Sequence, residues 1–580
     1  MNDIRDSKWY WDKYNKGINY NSQFKPNKNY YEAIKVWNAF YNGDQWIGLE
    51  GDQKLPHPVF NIIKRITEFL VASLTSSNIA VNVEPLENTV IEGEEYQPGD
   101  LLNAEIKNIF EKTNFEYKVK EVLTDGAITG DMCVHTIFLP DKKAFRGKDI
   151  KGEIELELID ATNVLFGNPN IKDVEKQPYI IIVGRDTVKR LKEEALRNKS
   201  NADEIKPDAD TEYQTSELAE VEIEGDEDGK ALYIYYYYKK ITKDENGNRT
   251  EKVMCTKCTK DAFMFRDVDM DLSRYPIAFS NWYKQKGTYH GRGVVESVCP
   301  NQISINKLFA MAIYHQMMTA FPPMVIDADM IDSINNEVGS FIKIKGLKAS
   351  QRSFKDIAGY LEPANMSEWI IKIIDLCFQY TKECLGVSDA SLGQINPTNT
   401  SAIIAVQKST AVPLANIKDN LYNLVEQEVL IIIDMMAHKY GIRPVVVTDD
   451  NGIRTLVDFD FDKLKNMDLK TNVDVGETSY WSEISTLQTL DNLLANQQID
   501  FLQYLERIPN EIIPKKAELI AALKEKMQIP EQATQPINND AQYEQMAQFM
   551  DTLPLEQQQM IRGMNPGEQE NYLLNLMQQA

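Results

Sequence analysis

The sequence predicts an α+β protein built of several lobes, and three observations carry that expectation. A chain of 580 residues exceeds what one hydrophobic core serves, so roughly two to four lobes are expected. Over about the first 200 residues, helical patterns precede strand patterns without the regular alternation of a doubly wound domain. In the middle third, two long helical patterns enclose a short β-rich segment, an unusual plan for a globular enzyme.

The elements follow from spacing. Tyr30, Ile34, Trp37 and Phe40 or Tyr41 recur at helical intervals after Asn29, and Asn42-Gly43-Asp44 then supplies a turn. Beyond Pro56 and Pro58 a second helix runs from about Asn61 to Ser73, and the alternation Ile79, Val81, Val83, closed by Pro85, reads as a strand. Leu101 to Thr129 reads as a helix pair, Gly130 opens a strand from Met132 to Leu139, and a strand from Glu153 to Ile159 leads into the loop Phe166-Gly167-Asn168-Pro169. Residues 198 to 230 are acidic and poor in apolar side chains, which predicts an inserted surface loop. Ala231 to Ile241 and Lys252 to Thr256 make a hairpin about Asn246-Gly247-Asn248. Its tyrosines, Tyr233, Tyr235, Tyr236, Tyr237 and Tyr238, are read as sheet packing rather than base stacking, because no basic residue is interleaved before Lys239 and Lys240.

Gly291-Arg292-Gly293 opens a helical pattern to about Thr319, roughly 40 Å long, in which Pro300 either makes a kink or marks a later start. Its apolar residues, among them Val294, Val298, Ile305, Leu308 and Phe309, lie on more than one side and call for neighbours on more than one side. Pro322 and Pro323 stop it. Strands at Met324 to Ile326 and Ser340 to Ile344, with a short helix near Met330 to Asn335, fill the space before Pro363. The second helix, about Asn365 to Leu385, has an apolar stripe at Ile370, Ile373 or Ile374, Cys377, Thr381 and Cys384. Its other face repeats Glu368, Lys372, Asp375, Gln379 and Lys382 at intervals of three and four. A loop from Gly386 to Thr400 precedes a long helix from about Ser401 to Tyr440, capped by Gly441 and kinked at Pro413. A short β segment (Pro444 to Phe461) and three helices within Ser479 to Lys526 follow. The glutamine-rich remainder holds amphipathic pieces such as Met546, Phe549 and Met550, too short to stand alone.

Composition narrows the chemistry. No apolar run reaches membrane-spanning length; the best, Val429 to Ala437, is broken by Asp434, and Met1 to Lys16 lacks the apolar core of an export signal. Six scattered cysteines are too few for a disulfide framework. The close pair Cys255 and Cys258 lacks further ligands at zinc spacing, since His57, His135, His290, His315 and His438 are never paired in sequence, so no metal or cofactor is expected. A net charge of -24 speaks against gripping DNA through its phosphates and fits either acidic solubility or a surface along which DNA slides. No phosphate-binding glycine loop ending in Lys-Ser or Lys-Thr occurs, so the chain is not itself an ATP-driven motor. Asp267, Asp269 and Asp271 alternate as a two-metal nuclease cluster might require, although a solvated turn before Pro276 explains them without chemistry.

What matches is a family. Tyr41-Asn42-Gly43-Asp44-Gln45-Trp46 after an aromatic helix resembles the N-terminal motif of bacteriophage portal proteins. So do Asn61-Ile62-Ile63, Gly291-Arg292-Gly293 ahead of Gln302, Ile305 and Asn306, and Gly386-Val387 through Ser391-Leu392-Gly393. The resemblance runs from about residue 30 to residue 500; the acidic stretch and the glutamine-rich tail depart from it. It implies an α+β portal fold with these parts: a wing (1–292, acidic insertion about 198–230), a first stem helix (293–319), a clip (320–362) and a second stem helix (363–386). A tunnel loop (387–400), a long kinked wing helix with its β return (401–470), a helical crown (471–527) and a C-terminal tail (528–580) complete it.

The resemblance also implies a non-enzymatic ring of twelve copies at one capsid vertex, assembled in the bacterial host cytoplasm and away from membranes. Double-stranded DNA passes through it during packaging and ejection. The terminase large subunit, head–tail adaptors, and the major capsid and scaffolding proteins are the implied partners. Gln394, Asn396, Thr398, Asn399 and Thr400 of the tunnel loop, and Glu368, Lys372, Asp375, Gln379 and Lys382 of the second stem helix, are then the channel residues. In the clip, Lys343, Lys345, Lys348, Arg352 and Lys355 form a basic stretch without an acidic residue, read either as a partner-docking site or as a strand edge guarded by lysines. The rivals are a metal-dependent nuclease using the Asp267 cluster and a tail-fibre or baseplate component.

Overall fold

The computed structural model describes the chain outside residues 1–4, 25–28, 48–54, 76–78, 86–96, 144–149, 208–228, 244–248, 321–323, 388–413, 449–453, 468, 476–488 and 497. Of 328–365 it describes 329, 331 and 358–360, and of 509–580 it describes 516, 519, 520, 523 and 554. Two compact units divide the chain, Met1–Trp481 and Ser482–Ala580.

Unit one opens with a helix that spacing arguments overlooked. In α1 (Ser7–Ser22) Asp6 accepts a hydrogen bond from the Ser7 N–H, and Tyr10, Tyr14 and Ile18 recur one turn apart as its buried face. Helix α2 (Tyr30–Asn42) is capped by Asn29 and ends where Gly43 takes φ 103°, a left-handed conformation that costs glycine least. Asn61 caps α3 (Ile62–Leu74). Strand β1 (Ile79–Pro85) follows, then α4 (Pro98–Thr113) and α5 (Phe115–Thr129), hinged at a left-handed Asn114. The anticipated elements of this region all form, with bounds shifted by a few residues.

Two antiparallel sheets make up the body. The first joins β2 (Asp131–Lys143) and β3 (Lys151–Leu158) with β9 (Ile277–Asn281), in the order β3-β2-β9. The second runs in chain order through β4 (Val164–Phe166), β5 (Ile180–Thr187), β6 (Lys230–Lys243), β7 (Arg249–Cys258) and β8 (Phe263–Asp269). Tyr236 packs with α1 on one side of the second sheet, while Tyr237 joins the main core on the other. The tyrosine run is therefore sheet packing, as expected, and both faces of the strand are used. Helix α6 (Val188–Arg197) sends Val188, Leu191 and Ala195 into a small core that also holds Ala202 and Ile205. The acidic stretch thus begins as packed chain, because these two apolar side chains give it something to bury; residues 208–228 lie outside the described residues.

Strands β10 (Tyr283–Lys284) and β11 (Gly291–Arg292) pair just ahead of α7 (Val294–Ala320), which continues through Pro300. Between the two long helices, β12 (Met324–Ile326) is described and pairs with β13 (Ala358–Tyr360), a partner the sequence did not reveal. The strand expected at Ser340 to Ile344 and, apart from Ile331, the helix near Met330 to Asn335 lie outside the described residues. Helix α8 (Trp369–Cys384) returns antiparallel to α7: Asn301 donates to the Thr381 hydroxyl at 3.1 Å and Phe309 meets Phe378 at 6.2 Å. Helix α9 (Ala415–Lys439) crosses the three-stranded sheet with Ile417, Leu421, Val425, Val429 and Ile432 buried, and is followed by a left-handed Gly441 at φ 60°; the expected stretch from Ser401 and the kink at Pro413 lie outside the described residues. A hairpin of β14 (Ile442–Thr448) and β15 (Arg454–Asp460) comes next. Strand β16 (Leu469–Val475) then pairs with β1 in the register Ile79↔Val475. The helical region expected from residue 471 therefore begins later.

In unit two, Asp500 and Gln503 form a capping box on α10 (Phe501–Arg507), and Leu490, Leu505 and Ile508 cluster with Ile520 and Leu523. Most of the three helices expected within Ser479 to Lys526 lies outside the described residues.

Candidate functional site

The residues that carry the family resemblance meet at the root of α7. Gln302 Nε2 donates to the Phe60 carbonyl (2.8 Å) and to Asn306 Oδ1 (2.9 Å), while its Oε1 accepts from the Ile62 N–H (3.2 Å). Asn306 Nδ2 donates to Gln45 Oε1 (2.8 Å), and Gln45 Nε2 donates to the Phe40 carbonyl (3.0 Å). Asn61 Nδ2 donates to the Tyr41 carbonyl (2.8 Å), and Trp46 stacks on His57 at 4.7 Å. Gln45, Gln302 and Asn306 are buried, so this chain of amides satisfies the backbone at the α2–α3 corner and fixes it to the helix. The glycines serve the same junction. A Cβ on Gly291 would lie 2.2 Å from the Gly130 carbonyl oxygen, and one on Gly293 would lie 2.5 Å from that of Ala127, so only glycine lets the chain cross α5 there.

Beneath the crossing lies a second polar centre that sequence reasoning missed. Asp131 Oδ1 accepts from the Asn281 side chain (2.7 Å) and the Gly291 N–H (2.6 Å). Its Oδ2 accepts from the Tyr30 hydroxyl (2.8 Å) and sits 2.6 Å from His290 Nδ1. The other ring nitrogen of His290 faces Asn21 Oδ1 at 2.9 Å. Asp131 and His290 stand 159 residues apart, so no spacing could have announced them.

Beyond the root, α7 and α8 leave the core. Val294, Val298 and Ile305, expected to face neighbours, are buried in the chain's own α+β body, and Leu308 and Phe309 are half-buried. The apolar surface that stays exposed lies farther along α7, at Met311, Ile313, Tyr314, Met317 and Met318. On α8 the expected apolar stripe holds at Ile374 and Thr381, which are buried, and at half-buried Cys377, whereas Cys384 and Ile373 are exposed. Stepping at about 100° per residue, α8 carries three stripes. Ile370, Ile374, Cys377 and Thr381 turn to α7. Glu368, Lys372, Asp375 and Gln379 lie on the far side, exposed, with Lys382 half-buried. Between them runs an exposed apolar flank, Trp369 (67%), Ile373 (42%), Leu376 (42%) and Tyr380 (57%). Within the polar stripe Gln379 donates to Glu383, and Lys372 lies over the Trp369 ring at 5.2 Å.

The tunnel-loop positions Gln394, Asn396, Thr398, Asn399 and Thr400 and the clip positions Lys343, Lys345, Lys348, Arg352 and Lys355 lie outside the described residues. The loop's flanks do not. Val387 is buried in the main core and Leu414 packs against it, so the residues on either side of 388–413 are both tied to that core.

The rival chemistry finds no geometry. Asp267 and Asp271 take φ 48° and 50°, which breaks the alternation on which a shared face depends. Each carboxylate has its own partner: Asp267 accepts from the Tyr10 and Tyr238 hydroxyls, Asp269 pairs with Lys252 at 2.8 Å, and Asp271 with Lys439 at 3.0 Å. Burial pushes the Asp267 carboxyl up, but the two tyrosines and Arg266 outweigh it and hold the group below the usual carboxylate range. Among the described residues no group of three or more His, Cys, Asp or Glu is placed to hold a metal ion. Cys255 belongs to the main core and Cys258 to the core under α1, so the two thiols point to opposite faces of the sheet.

An α+β lobe roots an antiparallel helix pair by a buried amide chain and leaves the pair's outer flank apolar, so the chain is of the class with a helical arm on a mixed body. A family model described as phage P22-like portal protein matches residues 19–571, most of the chain, and the chain belongs to that family. The match extends beyond the stretch in which the resemblance was legible and spans both the acidic insertion and most of the glutamine-rich tail. No curated protein matches the chain. Membership makes it a phage portal protein, a structural component of the capsid vertex that serves genome packaging. No helix among the described residues is long and apolar enough to cross a membrane.

Proposed function

We propose that the chain closes into a ring, a dodecamer by analogy with its family, whose channel conducts double-stranded DNA during packaging and ejection. The observation that carries this reading is the sequence of stripes on α8. A helix with one face on its own partner, one exposed apolar flank and one mixed-charge face has the surfaces that a ring protomer needs: self, neighbour and lumen. Opposite charges alternating along the lumen face give DNA no sustained attraction, and no Lys or Arg stands between Lys382 and Lys408, so phosphates passing the tunnel loop meet only brief hydrogen bonds. The clip lysines form the docking platform for the terminase large subunit and later for head–tail adaptors, the wing meets the major capsid and scaffolding proteins, and assembly takes place in the host cytoplasm. Electron microscopy of the purified protein tests the reading: rings with a central channel are expected, and a monomer at every concentration and ionic strength overturns it.

A further inference from the structure

Inside the wing, between α5, β2, β3 and α9, lies a cavity of about 10 Å³, room for about one water molecule. Phe115, Val122, Leu156 and Leu424 are among its apolar walls, and Glu428 of α9 reaches into it. Glu428 is 1% exposed. Its Oε1 accepts from the buried Thr136 hydroxyl of β2, and its Oε2 has no hydrogen-bond partner among the described residues. An ionised carboxylate with one oxygen unmatched in an apolar cavity is far more costly than a neutral carboxyl there. The titratable groups that face it are Lys118 of α5, whose ammonium donates to the Leu156 carbonyl, and the Cys133 thiol of β2; β3 contributes Leu156 and Leu158.

We infer that the protonation state of Glu428 is a working part of the wing: neutral, the side chain stays buried between α9 and β2, and the cost of its buried charge on ionisation loosens α9. The inference rests on the interior of the lobe and not on the channel reading. Burial pushes the carboxyl up to about 7, against the opposing effects of Thr136 and Lys118. Because the folded value is raised, the contribution to stability is complete at pH values below the ordinary glutamate range. It declines as the unfolded state ionises, and it is lost once pH passes about 7. Helix α9 is the element that leads away from the 388–413 segment, so its hold on the sheet bears on how firmly that segment's far end is anchored.

The test is hydrogen exchange of the full-length protein between about pH 6 and about pH 8.5, corrected for intrinsic rates. In the wild type, peptides around residue 428 should exchange at least about threefold faster above neutrality than below it. Glu428→Gln should abolish that rise. Thr136→Val, which removes the hydroxyl that stabilises the ionised form, should move it to higher pH and decides the matter if Glu428→Gln fails to fold. Asp125 is the other carboxyl among the described residues pushed up to about 7, by burial and then by Asp160, and Asp125→Asn should leave the rise intact. A flat wild-type profile, a rise that survives Glu428→Gln, an unmoved midpoint in Thr136→Val, or a rise abolished by Asp125→Asn overturns the inference, whether or not rings form.

Discussion

Gln302 bonds three groups at once, the Ile62 N–H, the Phe60 carbonyl and Asn306 Oδ1, and its truncation removes all three bonds, leaving the Ile62 N–H only its bond to the Phe60 carbonyl at 2.8 Å and Asn306 only its bond to Gln45. Gln302→Ala should therefore cost more than one ordinary hydrogen bond, about 2–4 kcal/mol, in denaturant unfolding of the protein under dissociating conditions. A loss below about 0.5 kcal/mol would show that water replaces the amide. The sequence announced these residues as a motif, but not their purpose, because Gln302 and Phe60 are 242 positions apart. The Asp131–His290 centre was invisible for the same reason, and there no motif drew attention to it. Cys255 and Cys258 show the converse: a pair that spacing suggested and that strand geometry divides between two cores.

Helices and hairpins were legible wherever local chemistry sets their ends. Asn29, Asn61, Gly43, Gly130 and Gly441 stop or start elements where the side-chain patterns say they should. Pairings between distant segments were not, and neither was the flank of α8, because an exposed apolar stripe beside a buried one reads in sequence as a single broad apolar face. Replacing Ile373 and Leu376 with lysine should leave the protomer's circular dichroism and melting temperature nearly unchanged, since both are already exposed, while light scattering shows loss of rings. Rings of normal size would remove the flank from the subunit interface. For the tunnel loop, Gln394→Arg with Asn399→Arg places phosphate-holding charges in every subunit. The packaged length of DNA against time should fall behind wild type in procapsids with intact portals, and coinciding curves would take this loop off the DNA path. Charge reversal at Lys345 and Lys348 should weaken terminase or adaptor docking in a salt-dependent manner without affecting rings, and unchanged docking would leave the lysines as guards of a strand edge.

At the scale of the whole molecule, every copy brings a net charge of -24 to an assembly of like-charged neighbours. Added salt or divalent cations should raise the fraction of protein in rings, as followed by sedimentation, because screening weakens long-range repulsion more than it weakens apolar contact. A ring fraction that falls with salt would mean that ion pairs, and not the apolar flank, hold the subunits together.

The pairing of β1 with β16 also sets a clock. The first of these strands leaves the ribosome about 390 residues before the second. At bacterial elongation rates it waits roughly 20 to 80 seconds for its partner. Through that interval the edge formed by Ile79–Pro85 lacks the one strand partner it has among the described residues, and a neighbouring nascent chain carries the same strand. Translation through Val475 must therefore be complete before this pair can close, which exposes crowded polysomes to strand exchange between siblings.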